Sequence, residues 1–319
     1  MHAMPAVQDI LQALPGVHID WVVERGFVPL VARCAGIRRV IACEIRTWRK
    51  KPLAVTTRKQ WQQFKAELQQ EEYDAVIDLQ GLTKSALVAW LARTQAQGVR
   101  YAMANQTDGS GYEAPTRWVA DRAIVLQPHV HAVERSRIVC AQALGYTYQG
   151  APRCGLLAGS MGQLPVASGN SLGKPCVALV HGTSRKDKEW PLEHWVELGK
   201  RLNAAGYRVA LPQGSAQELA VSQAIAAKLD QAWVWPTMTL DVVTDTLAQC
   251  AGVIGVDSGL SHIAVALDVP HVQIYNFDTA WRTGPQDCKL QKSIFATPYP
   301  TLEQVWQAWL TVAPLTRQH

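Results

Sequence analysis

The segment GVIGVDSGLSHIAVALD (residues 252–268) begins with an apolar run that ends at Asp257, and from Gly259 onward the apolar spacing changes to that of a helix. A strand apolar on both faces that leaves directly into a helix belongs to a parallel sheet covered by helices. The free N–H groups and positive dipole end of such a helix start form an anion site. Gly259 lacks the Cβ that would hold a phosphate away, Ser258 stands at the cap position, and His262 follows about one turn later. A strand-to-helix turn with a Ser cap and a purely structural Asp shows the same pattern, so spacing alone leaves both readings open.

Working outward, the same alternation recurs on both sides. CVALVHG (176–182), YRVALPQG (207–214), AWVWP (232–236) and HVQIYN (271–276) read as strands separated by helical segments. Earlier in the chain, VHIDWVV (17–23), RRVIACE (38–44), YDAVIDLQG (73–81) and a strand near VRYAMA (99–104) form a second alternating series. Its helices are expected at 4–14, over FVPLVARCAG (27–36), from about 57 to 70, at TKSALVAWLAR (83–93) and at AVERSRIVCAQALG (132–145). Between the two series, LLAGSMGQLPVASGNSLGKP (156–175) is rich in Gly, Ser and Pro without sustained period. The fold class expected is α/β, with two Rossmann-like domains and a cleft between them: residues 1–155, a linker at 156–174, and residues 175–298. A final helix within 299–319 is expected to pack back toward the first domain.

At 319 residues and 48% hydrophobic the chain can bury two sizeable cores. No run approaches the roughly 18 apolar residues of a membrane span, and the start lacks the basic-then-apolar order of a signal peptide, so a cytoplasmic location is expected. The seven cysteines show no CxxC pair and sit mostly in apolar segments, which reads as reduced core residues and not a zinc site. A net charge of +5 does not by itself imply nucleic acid, and no nucleic-acid partner is expected. The basic residues are uneven, however: IRTWRKK (45–51) sets Arg46, Arg49, Lys50 and Lys51 around Trp48, and no acid lies between Arg46 and Lys59. Such a stretch suits a phosphate-bearing or membrane-surface partner, or is simply a solvated basic loop.

Three further segments carry candidate chemistry. VALVHGTSRKDKEWP (177–191) leaves a strand with the Thr183 and Ser184 hydroxyls, then Lys188, which can grip a diphosphate without Walker spacing. LPQGSAQELA (211–220) puts Ser215 and Glu218 at the spacing of a capping box, although a carboxylate at a strand's carboxyl end can also accept two ribose hydroxyls. Met238 could line an adenine pocket or simply fill core. In the first half, Asp78 ends a strand and either faces the cleft or satisfies local backbone donors, and HAVERSR (131–137) reads as a surface helix with local ion pairs. GxSxG, HExxH, Walker and GxGxxG elements are absent from the sequence, which weakens hydrolase, zincin, P-loop and simple dehydrogenase readings.

Taken in order, DWVVERGF, EIRTWRK, YDAVIDLQGLTKSAL, HAVERSR, HGTSRKDKEWPLEHW, LPQGS with Glu218, MTL and DSGLSHIAVALD resemble the bacterial lipopolysaccharide heptosyltransferases over nearly the whole chain. The resemblance implies a GT-B fold and inverting transfer of L-glycero-D-manno-heptose from an ADP-heptose donor to the first Kdo of Kdo2-lipid A, with no metal and no cofactor. It implies that Thr183, Ser184 and Lys188 hold the donor diphosphate with Ser258 and Gly259. Glu218 then takes the ribose, Met238 the adenine, and Asp257 and His262 line the donor site. Lys188 also stabilises the leaving group. Arg46, Arg49 and Lys50 face the anionic acceptor, which implies a peripheral position on the cytoplasmic face of the inner membrane.

The chain departs from the family pattern in three places. Thr47 stands where relatives often carry another arginine, and residues 105–122 do not match the family's acceptor loop cleanly. The resemblance also implies that a strand and a Ser/Gly/Asp loop bearing the catalytic base precede the helix at residue 4, so the base is expected upstream of Met1. A later-acting heptosyltransferase, or a catalytically impaired ADP-sugar or anionic-lipid binding protein, stands as the alternative.

Overall fold

The computed structural model describes residues 1–159, 174–183, 185–286 and 288–313. They divide into two compact units, His2–Gly155 and Leu156–His319. Most of the expected linker lies outside the described residues.

The first unit runs α1 (Met4–Ala13), β1 (Ile19–Glu24), α2 (Val28–Val31), β2 (Ile37–Cys43), α3 (Ile45–Trp48), α4 (Val55–Leu68), β3 (Glu72–Asp78), α5 (Thr83–Leu91), β4 (Arg93–Met103), α6 (Pro115–Val119), β5 (Arg122–Ile124) and α7 (Ala132–Leu144). All its strand pairs are parallel, in two groups, β1-β2 and β3-β4-β5. The helix expected over 27–36 is cut to the single α-helical turn of α2, and the chain then turns at Ala35-Gly36, where Ile37 N–H donates to Cys34 O and Gly36 has a φ of 84° that favours glycine. β4 starts earlier than expected, at Arg93. Asp20, with its side chain shut away from water, accepts from Arg38 and from the Tyr73 hydroxyl at 3.0 Å, so a carboxylate on β1 ties β2 and β3 by side chains.

The expected surface ion pairs of HAVERSR take a different form. Arg137 is buried, bonds Asp9 of α1 at 2.7 Å and Glu134 at 2.9 Å, and lies over the Tyr148 ring. A guanidinium offers five donors, so one buried cation can join α1 to α7 and the segment beyond it. Asp78 accepts from the Gln80 and Gly81 N–H groups and from Ser85 Oγ, which is the local role.

The second unit runs β6 (Cys176–Val180), α8 (Leu192–Ala204), β7 (Arg208–Leu211), α9 (Ala216–Ala226), β8 (Ala232–Val234), α10 (Leu240–Ala248), β9 (Gly252–Val256), α11 (Gly259–Ala266), β10 (His271–Tyr275), α12 (Ala280–Thr283), β11 (Gln291–Phe295) and α13 (Leu302–Val312). Its six strands are all parallel, ordered β11-β10-β9-β6-β7-β8. β6, β9 and β10 are buried at every residue, as two-sided covering requires. One set of alternate positions, Val177, Leu179, Val209, Leu211, Ile254, Val256, Val272 and Ile274, packs with Trp195, Leu198 and Leu202 of α8 and Val305, Trp309 and Val312 of α13.

α13 therefore belongs to the core of the second unit. Its apolar stripe and its Thr301/Gln304 capping box suit any helix-covered sheet, so the pattern named a helix without naming its partner. Gly252 is where it docks: a Cβ there would stand 2.4 Å from the Trp309 ring. Gly252→Ala is expected to destabilise the second unit by about 1–3 kcal/mol through overpacking. Urea unfolding followed by tryptophan fluorescence would read this as a lower midpoint.

Candidate active site

In the second unit the connections reverse direction between β6 and β9: the chain leaves β6 toward β7 and β8, and returns at β9 to build toward β10 and β11. Loops at the carboxyl ends of those two strands diverge, and the crevice they leave is where doubly wound sheets take ligands. His181, Gly182 and Thr183 follow β6, and Asp257 and Ser258 follow β9. Thr183 Oγ1 donates to the Asp257 carbonyl at 3.4 Å, which joins the two exits.

Asp257 is the centre of the arrangement. Lys188 Nζ donates to its Oδ2 at 2.5 Å, and His262 Nε2 lies 3.3 Å from its Oδ1. Burial by itself pushes the carboxyl up, but the hydrogen bonds and charges of His262 and Lys188 outweigh it and hold Asp257 well below the usual carboxylate range. Lys188 reaches this position from a one-turn 3₁₀ helix, Lys186–Lys188, closed by Lys188 N–H to Arg185 O and Glu189 N–H to Lys186 O. Asn276, the residue after β10, donates from Nδ2 to the carbonyls of Glu189 at 2.8 Å and Asp187 at 3.3 Å.

The start of α11 is open. Ser258 is extended and makes no side-chain cap bond, and a Cβ on Gly259 would meet nothing within 4 Å. That space is available to a ligand on the N–H end of the helix dipole. Ser261, in the same first turn, is spent internally on the Val256 carbonyl at 2.6 Å.

Glu218 combines the two readings that its spacing allowed. Its N–H donates to Ser215 Oγ, while its Oε2 accepts from the N–H of Gly214, one residue further back than a capping box requires. This throws the carboxylate over the β6 exit, where a Cβ on Gly182 would stand 2.5 Å from Oε1. Met238 lies half-buried in the loop after β8, on the same carboxyl-end edge; Gln213 ties the β7 exit to that loop by donating to Trp235 O and Thr237 Oγ1. Ser184 lies outside the described residues. Arg46, Arg49 and Lys50 belong to the first unit, exposed on and just after α3. Trp48 anchors that stretch, buried edge-on against Trp61 and donating to Gln60.

His181 is a buried neighbour with a structural part. Burial pushes its imidazole down to about 4, and it shares a 2.7 Å hydrogen bond with Ser222 of α9. Asn276 is the one site residue that no motif pointed to, since an Asn at a strand end is also a common turn former.

Residues 61–305 match glycosyltransferase family 9, the heptosyltransferases. The chain belongs to this family. Lipopolysaccharide heptosyltransferase 1 of Escherichia coli K12 is 37% identical over 276 residues, covering 86% of this chain and 83% of the relative. The protein of the same name from Pseudomonas aeruginosa is 36% identical over 289 residues, 89% of this chain and 77% of the relative. Among solved structures, E. coli heptosyltransferase WaaC with ADP superposes with a TM-score of 0.83 at 34% identity, over 96% of this chain and 93% of that one. This heptosyltransferase-family chain is thus a glycosyltransferase with the GT-B type of α/β fold.

The arrangement yields two expectations. The Asp257 carboxyl is held below its ordinary value, so the stability it contributes is complete above pH 3.8 and is lost as pH falls below that value. Thermal unfolding from pH 6 down to pH 3 should accordingly fall less steeply in Asp257→Asn than in the parent. Gly259→Ala should leave the unfolding temperature unchanged or slightly raised, because the space is empty and alanine favours helix; differential scanning calorimetry checks this.

Proposed function

We propose that this glycosyltransferase moves L-glycero-D-manno-heptose from ADP-L-glycero-D-manno-heptose to the first Kdo residue of Kdo2-lipid A, with inversion. The observation that carries the reading is the Lys188–Asp257–His262 cluster beside the open start of α11, at the strand reversal of the second unit. The relatives named lipopolysaccharide heptosyltransferase 1 support the reaction. The solved WaaC complexes with ADP and with ADP-2-deoxy-2-fluoro heptose support the donor.

In this reading Lys188 and the N–H groups at the Ser258-Gly259 helix start hold the diphosphate, and the Thr183 and Ser184 hydroxyls bond to it. As the acceptor hydroxyl gives its proton to a general base and its oxygen bonds to the anomeric carbon, the bond to the diphosphate oxygen breaks and ADP leaves with the electron pair. Negative charge grows on the leaving oxygen, so a fixed ammonium and a helix dipole aimed there lower the barrier. Glu218 takes the ribose hydroxyls, Met238 lies along the adenine, and Asp257 with His262 lines the sugar end.

Arg46, Arg49 and Lys50 are assigned to the Kdo carboxylates and lipid phosphates, which suit guanidinium forks and ammonium charge. The same stretch carries the exposed apolar side chains Leu53, 78% exposed, and Val55, 82% exposed, amid Lys51, Arg58 and Lys59. No helix among the described residues is long and apolar enough to cross a membrane, and apolar tips within a basic collar suit the surface of an anionic bilayer on the cytoplasmic side.

Lys188→Ala should raise the ADP-heptose dissociation constant about 10- to 100-fold, the loss expected for a charge-assisted contact to phosphate, with the fold intact. Unchanged affinity by calorimetry would overturn the donor assignment. Transfer to heptosylated acceptor alone, and none to Kdo2-lipid A, would overturn the acceptor assignment. The pair Leu53→Asp and Val55→Asp should cut co-sedimentation with phosphatidylglycerol vesicles at least about fivefold; equal sedimentation would remove this stretch from the membrane contact.

A further inference from the structure

We infer that Asn276 is a positioning residue for Lys188, setting donor affinity from a strand that offers the diphosphate nothing directly. The inference rests on the reading that Lys188 holds the donor diphosphate.

The turn carrying Lys188 is short. Its two internal hydrogen bonds, Lys188 N–H to Arg185 O and Glu189 N–H to Lys186 O, close one 3₁₀ turn, and a single such turn has little stability of its own. The Asn276 carboxamide clamps it from outside, donating to the carbonyls on either side of Lys188, Asp187 O and Glu189 O. Both partners are acceptors, so only the Nδ2 edge can face them; the flipped amide would set Oδ1 against two carbonyl oxygens. Asn276 is itself buried at the end of β10, a strand buried at every residue, so the clamp is anchored in the sheet. With its backbone held by Asn276 and its head held by Asp257, Lys188 is fixed at both ends of a side chain that is otherwise rich in rotamers. The loops after β6 and β9 and the end of β10 thereby fix the position of one ammonium group.

The sequence pattern gives no hint of this. Asn276 lies outside the segments read as carrying charge or hydroxyls toward a phosphate, and its Nδ2 bonds go to backbone carbonyls of the Lys188 turn.

A double-mutant cycle on the full chain, with ADP as the probe in calorimetry, tests the inference. Asn276→Ala should weaken ADP binding about 5- to 10-fold when Lys188 is present, the size of coupling expected for residues sharing one network, and less than about twofold in the Lys188→Ala background. Asn276→Asp, which puts an acceptor where a donor is needed, should lose at least as much as Asn276→Ala. A merely structural role would give equal losses in both backgrounds, together with a lowered unfolding temperature, and would overturn the inference. So would full ADP affinity in Asn276→Ala. If Asn276→Ala does not fold, Asn276→Ser, which keeps one donor but cannot span both carbonyls, takes its place with the same two outcomes. If Lys188→Ala itself leaves ADP binding unchanged, the donor reading fails first, and the two failures are thereby distinguished.

Discussion

A buried carboxylate held between two basic side chains organises the second unit. Asp257 follows a wholly buried strand, and burial alone would push its carboxyl up. The contacts with Lys188 and His262 outweigh that push and keep the charge at the mouth of a hydrophobic sheet. In exchange Asp257 draws the loop after β6 and the first turn of α11 together at the point where the strand order reverses. The open helix start, the Thr183 bond and the Glu218 carboxylate over Gly182 are arranged around that junction.

The strand order explains why these particular loops matter. In a sheet ordered β11-β10-β9-β6-β7-β8, only β6 and β9 are neighbours whose following helices depart in opposite directions. The crevice between their diverging loops is the ligand position of doubly wound sheets. One face of the sheet carries large side chains against α8 and α13, whereas the opposite face carries Ala178, Val180 and Gly255. Gly255 permits the tight approach of α11, since a Cβ there would stand 2.5 Å from Ser261 Oγ. The open Gly259 and the crowded Gly255 thus serve opposite ends: one leaves space for a ligand, the other removes space within the protein.

Much of this was legible in the residues, and the limits have physical causes. Buried parallel strands write continuous apolar runs, so β6, β7, β9 and β10 could be read directly, and the hydroxyls, Lys188 and the DSG turn stood next to strand ends. What the pattern could not give was partnership. The stripe of α13 was visible but not the sheet it would cover, and the 27–36 segment carried helical spacing of which only one turn forms. Arg137 looked like one more charge on a helix face, yet its burial against Asp9 makes it a clamp. Asn276 left no trace because it acts through backbone carbonyls, which are the same for every residue type.

In net charge the Lys188–Asp257 pairing works against phosphate binding, since a neutralised lysine offers less to an anion. The chemistry of the ammonium argues otherwise. It carries three donors, and Asp257 occupies one of them through Oδ2, which leaves two for phosphate oxygens without breaking the pair. Holding the side chain in one rotamer before the ligand arrives removes an ordering cost from the binding step. The carboxylate therefore sacrifices part of the lysine's net attraction and gains a fixed direction for the rest. In the proposed donor site, that trade would suit a positive charge meeting a leaving oxygen at one place, and it depends on the backbone of Lys188 being as well fixed as its head.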